Sequence, residues 1–165
     1  MKIRTATYGD VPRILGICEE AKCIMRSDGN FKQWTDGYPE EEVIRKDIDR
    51  GVGYIIEDTG KAEAYFAFIP GIEETYLKIE GGQWLNDKEA YGTIHRLASS
   101  KSSHGIAEAC FNWCWDRMPN LRIDTHKDNR IMQHCIDKFG FVFCGIIYLR
   151  NGDPRLAFQK IGQRP

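Results

Sequence analysis

Apolar residues along this chain recur at every second position, then at every third or fourth, then at every second again, which divides it into alternating strands and helices. KIRTA (2–6) sets Ile3 and Thr5 against charged or small neighbours and predicts an opening strand. Asp10 and Pro12 then signal a helix start, and Val11, Ile14, Leu15, Cys18, Ala21 and Met25 hold one helical face until near Ser27. A second helix is expected from Pro39, with Glu40, Glu41 and Glu42 at its positive end, Arg45, Lys46 and Arg50 toward its negative end, and Gly51 as its stop. VGYIIED (52–58) and AEAYFAFIP (62–70), joined at Thr59-Gly60-Lys61, read as an antiparallel hairpin. Residues 71–89 carry turn signals with Tyr76, Leu77 and Trp84 interspersed and predict a long irregular connection. Strands at 91–99 and 121–125 alternate with helices at 106–118 and 129–140, the latter ended by Gly140. FVFCGIIYL (141–149), apolar on both faces, predicts a buried strand that pairs with PRLAFQKI (154–161) through the Asn151-Gly152 turn.

At 165 residues, 42% hydrophobic and 28% charged, the chain is expected to form one domain, 1–165, with a core of its own. Lys and Arg total 23 against 24 Asp and Glu, so the composition lacks the basic excess that nucleic-acid binding needs. No apolar run approaches the roughly 20 residues of a membrane helix, and MKIRTATYGD lacks a signal core, which predicts a cytoplasmic protein with no membrane partner. Cys18, Cys23, Cys110, Cys114, Cys135 and Cys144 form no CxxC pair and read as buried, reduced, core-filling thiols.

The most informative segment is LASSKSSHGIAEA (97–109), a strand running through a turn of small and polar residues into a helix. The first amides of a helix lack intrahelical acceptors and sit at the positive end of its dipole, so such a turn either binds an anion or is an ordinary N-cap. Within it Ser102-Ser103-His104-Gly105-Ile106-Ala107 resembles the pyrophosphate-binding motif of the GNAT superfamily of N-acetyltransferases, Gln/Arg-x-x-Gly-x-Gly/Ala, in its last two fixed positions. Ser102 departs from the first, and Lys101 beside it could contribute charge. DTHKDNRIMQHCIDKFGFVFCGII (124–147) is similar to a later motif of the same family, with Asn129, Lys138, Gly140 and Phe141 at matching spacings. The resemblance extends from Ile3 to Phe158.

It implies an α+β fold, with a mixed, mostly antiparallel sheet of about seven strands flanked by about four helices and splayed between the strands at 91–99 and 121–125. It further implies acetyl-CoA as co-substrate in that opening. Leu97, Ala98 and Ser99 would line the pantetheine arm, chiefly by the main chain of Leu97 and Ser99. Ser102, Ser103, His104, Gly105, Ile106 and Ala107 would hold the pyrophosphate, and Asn129 would contact the arm from the other side. The reaction implied is direct attack of a primary amine of a small molecule or peptide on the thioester, through a tetrahedral intermediate. The family's usual acid, a Tyr seven residues after the Asn, is here Ile136, and Tyr148 is a candidate substitute.

Strand parity puts Thr93, His95 and Leu97 on one face, which makes His95 a candidate base or, equally, a hydrogen-bonded structural histidine. His126, at the end of the neighbouring strand, reads as a second candidate or as a solvated loop residue. Phe31, Trp34 and Tyr38 fall where the family places its acceptor wall, with Trp84 in the same role on less support; each also reads as a cluster that pins a loop. Two other functions compete. Ser102 and Ile136 favour a non-catalytic acyl-CoA-binding or sensor domain on the same fold, and Cys110, Cys114 and His104 would form a metal module, a reading the apolar setting disfavours. The acetyltransferase reading calls for no metal. The final strand, left at a sheet edge, would offer a homodimer surface.

Overall fold

A computed structural model describes residues 1–162. Its strands are β1 (Lys2–Thr5), β2 (Gly53–Asp58), β3 (Lys61–Pro70), β4 (Gly92–Ser99), β5 (Asn120–Thr125), β6 (Val142–Tyr148) and β7 (Pro154–Ile161). The helices are α1 (Val11–Ser27), α2 (Glu41–Asp49), α3 (Ile106–Arg117) and α4 (Arg130–Phe139), with short 3-10 turns at Tyr8–Asp10 and Glu74–Tyr76. Each element falls within a residue or two of the span its periodicity predicts. Among the described residues no helix is long and apolar enough to cross a membrane.

The strands form a seven-stranded sheet in the order β1-β2-β3-β4-β5-β7-β6, antiparallel except between β4 and β5. Successive residues of a strand face opposite sides, so Ile55 and Ile56, both fully buried, enter different cores. On one side α3 and α4 cover Phe66, Ile94, Leu121, Ile123 and Phe158. On the other, α1 and α2 cover Ile55, Tyr65 and Ala98. Cys18, Cys110, Cys114 and Cys144 are buried, whereas Cys23 is exposed and Cys135, packed at the margin of the α3–α4 core, is half-buried.

Two strand expectations are corrected. β7 is not an edge: it lies between β5 and β6, which is why Ala157 and Gln159 are fully buried. The edge is β6, and the segment expected to be buried on both faces leaves Val142 and Phe143 about half exposed. Apolar content alone does not distinguish an inner strand from an edge.

The connection 71–91 folds down onto β5, β6 and β7 through a third apolar cluster that contains Tyr76, Trp84, Tyr91 and Ile147. Arg122 is its pivot. The guanidinium lies between the rings of Trp84 and Tyr91, at 4.0 and 3.8 Å from their centroids, and donates to the Asn86 carbonyl at 2.8 Å and to Asp87 at 3.0 Å. Gln159 holds the same segment by accepting from the Leu85 amide at 2.8 Å. The docking is close enough that a Cβ at Gly82 would run into the Cys144 carbonyl. Gly82→Ala is therefore expected to lower stability by about 1–3 kcal/mol in urea denaturation; an unchanged midpoint would mean that the connection re-seats freely.

Candidate active site

The parallel ladder between β4 and β5 is short, pairing only Gly92, Thr93 and Ile94 with Leu121, Arg122 and Ile123. Past Ile94 the two strands part, and the sheet opens. On the β3 side, the Ser100 amide donates to the Glu63 carbonyl at 2.8 Å, and Ala98 is opposite Tyr65. Main-chain groups alternate in direction along an antiparallel pair, so those of Leu97 and Ser99 face the opening while those of Ala98 do not. Leu97 and Ser99 line a cleft of about 80 Å³ with Met25 of α1 and Asn129 and Met132 of α4. Through Ile24, Asp28 and Ile131 this cleft meets a wider hollow that reaches Lys101.

Beyond the cleft the chain turns into α3 over Gly105, which sits in the left-handed region at φ 69° and ψ 13°. The amide of Ser103 returns to the Ser100 carbonyl at 3.4 Å and that of Ala109 to Gly105 at 3.1 Å, but the amides of His104, Gly105, Ile106, Ala107 and Glu108 find no acceptor among the described residues. Five donors at the positive end of a helix form a ready anion seat. Ser102 does not point into it, since its hydroxyl is held by Ser100 at 3.3 Å and Glu63 at 3.5 Å. Glu20 accepts the Lys101 amide at 2.9 Å, and Arg13 links Glu20 and Glu63, so one guanidinium is shared by the two carboxylates on the outer rim of the turn.

Asn129 opens α4 by accepting the Met132 amide at 3.0 Å, and its side-chain amide donates to Gln33 at 2.9 Å. Gln33 also receives Asn30 at 2.8 Å. The loop that carries both is shaped by Arg26, which donates to the carbonyls of Asn30, Gln33 and Trp34 at 2.8–3.0 Å. Neither Gln33 nor Arg26 stood out in the sequence; three carbonyls converging on one guanidinium is a tertiary feature with no local signature.

The far wall of the opening departs from strand parity. A bulge interrupts β4 against β3 between Tyr65 and Ala67, and Arg96 takes φ 56°. His95 and Arg96 consequently face the α1–α2 side together, while Leu97 packs with the α3–α4 core. His95 Nε2 is 3.3 Å from Glu73, whose carboxyl is held down at about 2, first by the His95 hydrogen bond. Tyr76, fully buried, donates to Asp124 at 2.6 Å, and burial together with Asp124 keeps its hydroxyl protonated. Arg96 grips Asp47 with two bonds of 2.8 and 2.7 Å and donates to the Tyr38 hydroxyl at 3.1 Å. Burial works against that guanidinium's charge, yet Tyr38 and Asp47 hold its pKa above the ordinary value.

His126 is buried, not solvated. Its Nδ1 accepts the Asp128 amide at 3.0 Å, and burial, then the charge of Arg155, lower its pKa and favour the neutral ring. Tyr38 and Trp34 meet edge to face at 6.2 Å, but Phe31 is 64% exposed and stands apart from them. Trp84 is no acceptor wall: it is buried against Arg122 and donates to the Tyr76 carbonyl at 2.9 Å. Tyr148 lies on the edge strand with its hydroxyl on Glu80 at 2.9 Å, away from His95. Ile136 is fully buried in the α3–α4 core. Cys110 and Cys114 lie in that same apolar core, and among the described residues no group of three or more His, Cys, Asp or Glu is placed to hold a metal ion.

No protein-family model and no curated protein matches this sequence. Solved structures do. One, described as an acetyltransferase of the GNAT family from Streptococcus agalactiae 2603, is 35% identical, with a TM-score of 0.90 over 99% of this chain and 96% of that one. A structure from Staphylococcus aureus MU50 is 26% identical, with a TM-score of 0.72 over 98% and 99%. A ribosomal-protein-alanine N-acetyltransferase from Brucella melitensis, at 16% identity and a TM-score of 0.65 over 98% and 100%, shares the fold.

Proposed function

We propose that this chain, which belongs to the GNAT family of acetyltransferases, moves an acetyl group from acetyl-CoA to a primary amine of a small molecule or peptide by direct attack on the thioester. The observation that carries this is the opening beside β4, with main-chain groups free along Leu97 and Ser99 and unpaired amides from His104 to Glu108 at its outer end. An extended amide-bearing arm with a diphosphate at one end matches that order of donors. Acetyl-CoA, when bound, supplies an acetyl group activated as a thioester.

The chain's own residues would divide the work. Leu97 and Ser99 pair with the arm, the amides of His104, Gly105, Ile106 and Ala107 hold the diphosphate, and Asn129, braced by Gln33, closes the cleft from α4. His95 takes a proton from the amine directly or through one water, with the Glu73 carboxylate orienting the ring. The amine nitrogen forms the amide bond as the C–S bond breaks, and the sulfur keeps the electron pair. A thiol of pKa about 8.5 leaves without an obligatory acid, consistent with Ile136 where a hydroxyl would otherwise be expected.

The test is thermal unfolding with and without acetyl-CoA and free CoA, followed by thiol release against a panel of amines. Ligand at about 100 times its Kd should add about 2.7 kcal/mol. A shift with thiol release supports the proposal, a shift without release from any amine points to an acyl-CoA sensor, and no shift overturns it. His95→Ala is expected to lower kcat by about 100-fold and to alter the pH profile while the acetyl-CoA shift persists. An unaltered profile would return His95 to a structural role.

A further inference from the structure

Three arginines reach into the faces of the sheet, and two of them have a carboxylate partner. Arg96 has Asp47 and Tyr38, and Arg122 has two aromatic faces, a carbonyl and Asp87, with its Nε alone left without an acceptor. Arg155 is different. Only 7% of it is exposed, yet its sole hydrogen bond among the described residues runs from Nη1 to the adjacent Pro154 carbonyl at 2.9 Å. Nε and Nη2 meet no acceptor, and the guanidinium makes no ion pair among the described residues. A guanidinium offers five donors, and those of Arg155 without an acceptor are not sealed from solvent, so they stand open to a ligand. Burial pulls its pKa down against the partial support of Asp124, Asp153 and Tyr38.

Its place explains what it is for. Along β7, Arg155 shares a face with Ala157 and Gln159, the face that meets Tyr76 and the connection 71–91. In the β5–β7 ladder Asp124 is opposite Ala157, so Arg155 and Asp124 are diagonal neighbours. Asp124 is occupied by the Tyr76 hydroxyl and does not close on Arg155. Tyr38, reaching over from the α1–α2 loop, and neutral His126 complete the surroundings. One face therefore presents a cation and an anion that are near each other but not joined, beside the His95–Glu73 pair, which is the arrangement that receives a zwitterion.

Resting on the acetyl-transfer reading above, we infer that the acceptor is a small amino-carboxylate and that Arg155 anchors its carboxylate. The anchor fixes one end of the molecule and turns its amine toward Asp124 and His95. Trp34 and Tyr38 offer the side chain of the acceptor an aromatic wall.

The experiment reads binding and not only turnover. Protein saturated with free CoA is titrated, by calorimetry, with the N-acetyl derivatives of the twenty standard amino acids and with the matching N-acetyl carboxamides. At least one acid is expected to bind about 100-fold tighter than its amide, as for a charged pair of hydrogen bonds made at a desolvated site. Arg155→Met should erase that preference while the CoA-induced shift in Tm persists, and Arg155→Lys should restore part of it. The inference is overturned if no acid outbinds its amide, or if Arg155→Met keeps the preference. Should Arg155→Met fail to fold, the comparison of acids with amides on the unmodified protein decides alone. Failure of the acetyl-transfer reading is separate, because it shows as no response to CoA or acetyl-CoA, or as a response with no thiol release from any amine, neither of which is read by the comparison of acids with amides.

Discussion

Asp47→Ala is expected to destabilise the protein by about 3–5 kcal/mol, the largest single loss among the substitutions considered. The carboxylate accepts the Tyr65 hydroxyl at 2.6 Å and both contacts from Arg96, and the two charged side chains are only 4% and 12% exposed. Removing it leaves the Arg96 guanidinium buried with Tyr38 as its remaining partner and strips the acceptor from Tyr65. Replacing Asp47 and Arg96 together by Ala and Met should recover much of the loss, because an apolar pair leaves no charge stranded. Urea denaturation followed at two wavelengths reads both, with the m-value checking that unfolding stays two-state. A loss below about 1 kcal/mol for Asp47→Ala would show that water reaches Arg96 and that the bulge in β4 is not held by this pair.

Gly105→Val is expected to raise the Kd for acetyl-CoA by at least about 100-fold, equivalent to two lost charge-assisted hydrogen bonds. The cause is conformational. A Cβ at Gly105 would meet only the Met1 methyl at 3.7 Å, so there is room for a side chain, but φ 69° costs an ordinary L-residue about 1–2 kcal/mol and a β-branched one more. Val would relieve that cost by rotating the turn, and the amides from His104 to Glu108 would cease to converge. Asn tolerates the left-handed region, so Gly105→Asn should bind nearly as the parent does. Titration of acetyl-CoA by calorimetry, with circular dichroism confirming the fold, distinguishes these outcomes. Valine binding within about threefold of glycine would remove the turn from the cofactor site.

The two halves of the candidate site differed in how far the sequence revealed them. The turn at 102–107 was legible because its chemistry is local: a glycine, small neighbours and a helix start suffice to free the amides, whatever side chains surround them. The acceptor side was not. Arg96 sits inside an apolar strand and Asp47 follows Ile44 on the buried face of α2, two signals that a charge enters the core, yet nothing local pairs residues 49 positions apart. Trp84 illustrates the converse. Its type suggests a binding wall, but the packing spends both its face and its N–H on Arg122 and Tyr76.

By itself, then, the sequence determined the spans of strands and helices, the stops at Gly51 and Gly140, the opening beside β4 through its resemblance to the GNAT family, and the strand-to-helix turn over Gly105. These follow from side-chain periodicity and backbone preferences within a few residues, or from motifs that carry a whole fold with them. Tertiary structure alone decided that β7 lies inside the sheet with β6 at its edge, that a bulge puts His95 and Arg96 on one face, and that Arg155 stands unpaired beside Asp124. Strand order, register and the partner of a buried charge are set by which distant surfaces fill one another without stranding a polar group, and that condition is satisfied by the folded molecule as a whole.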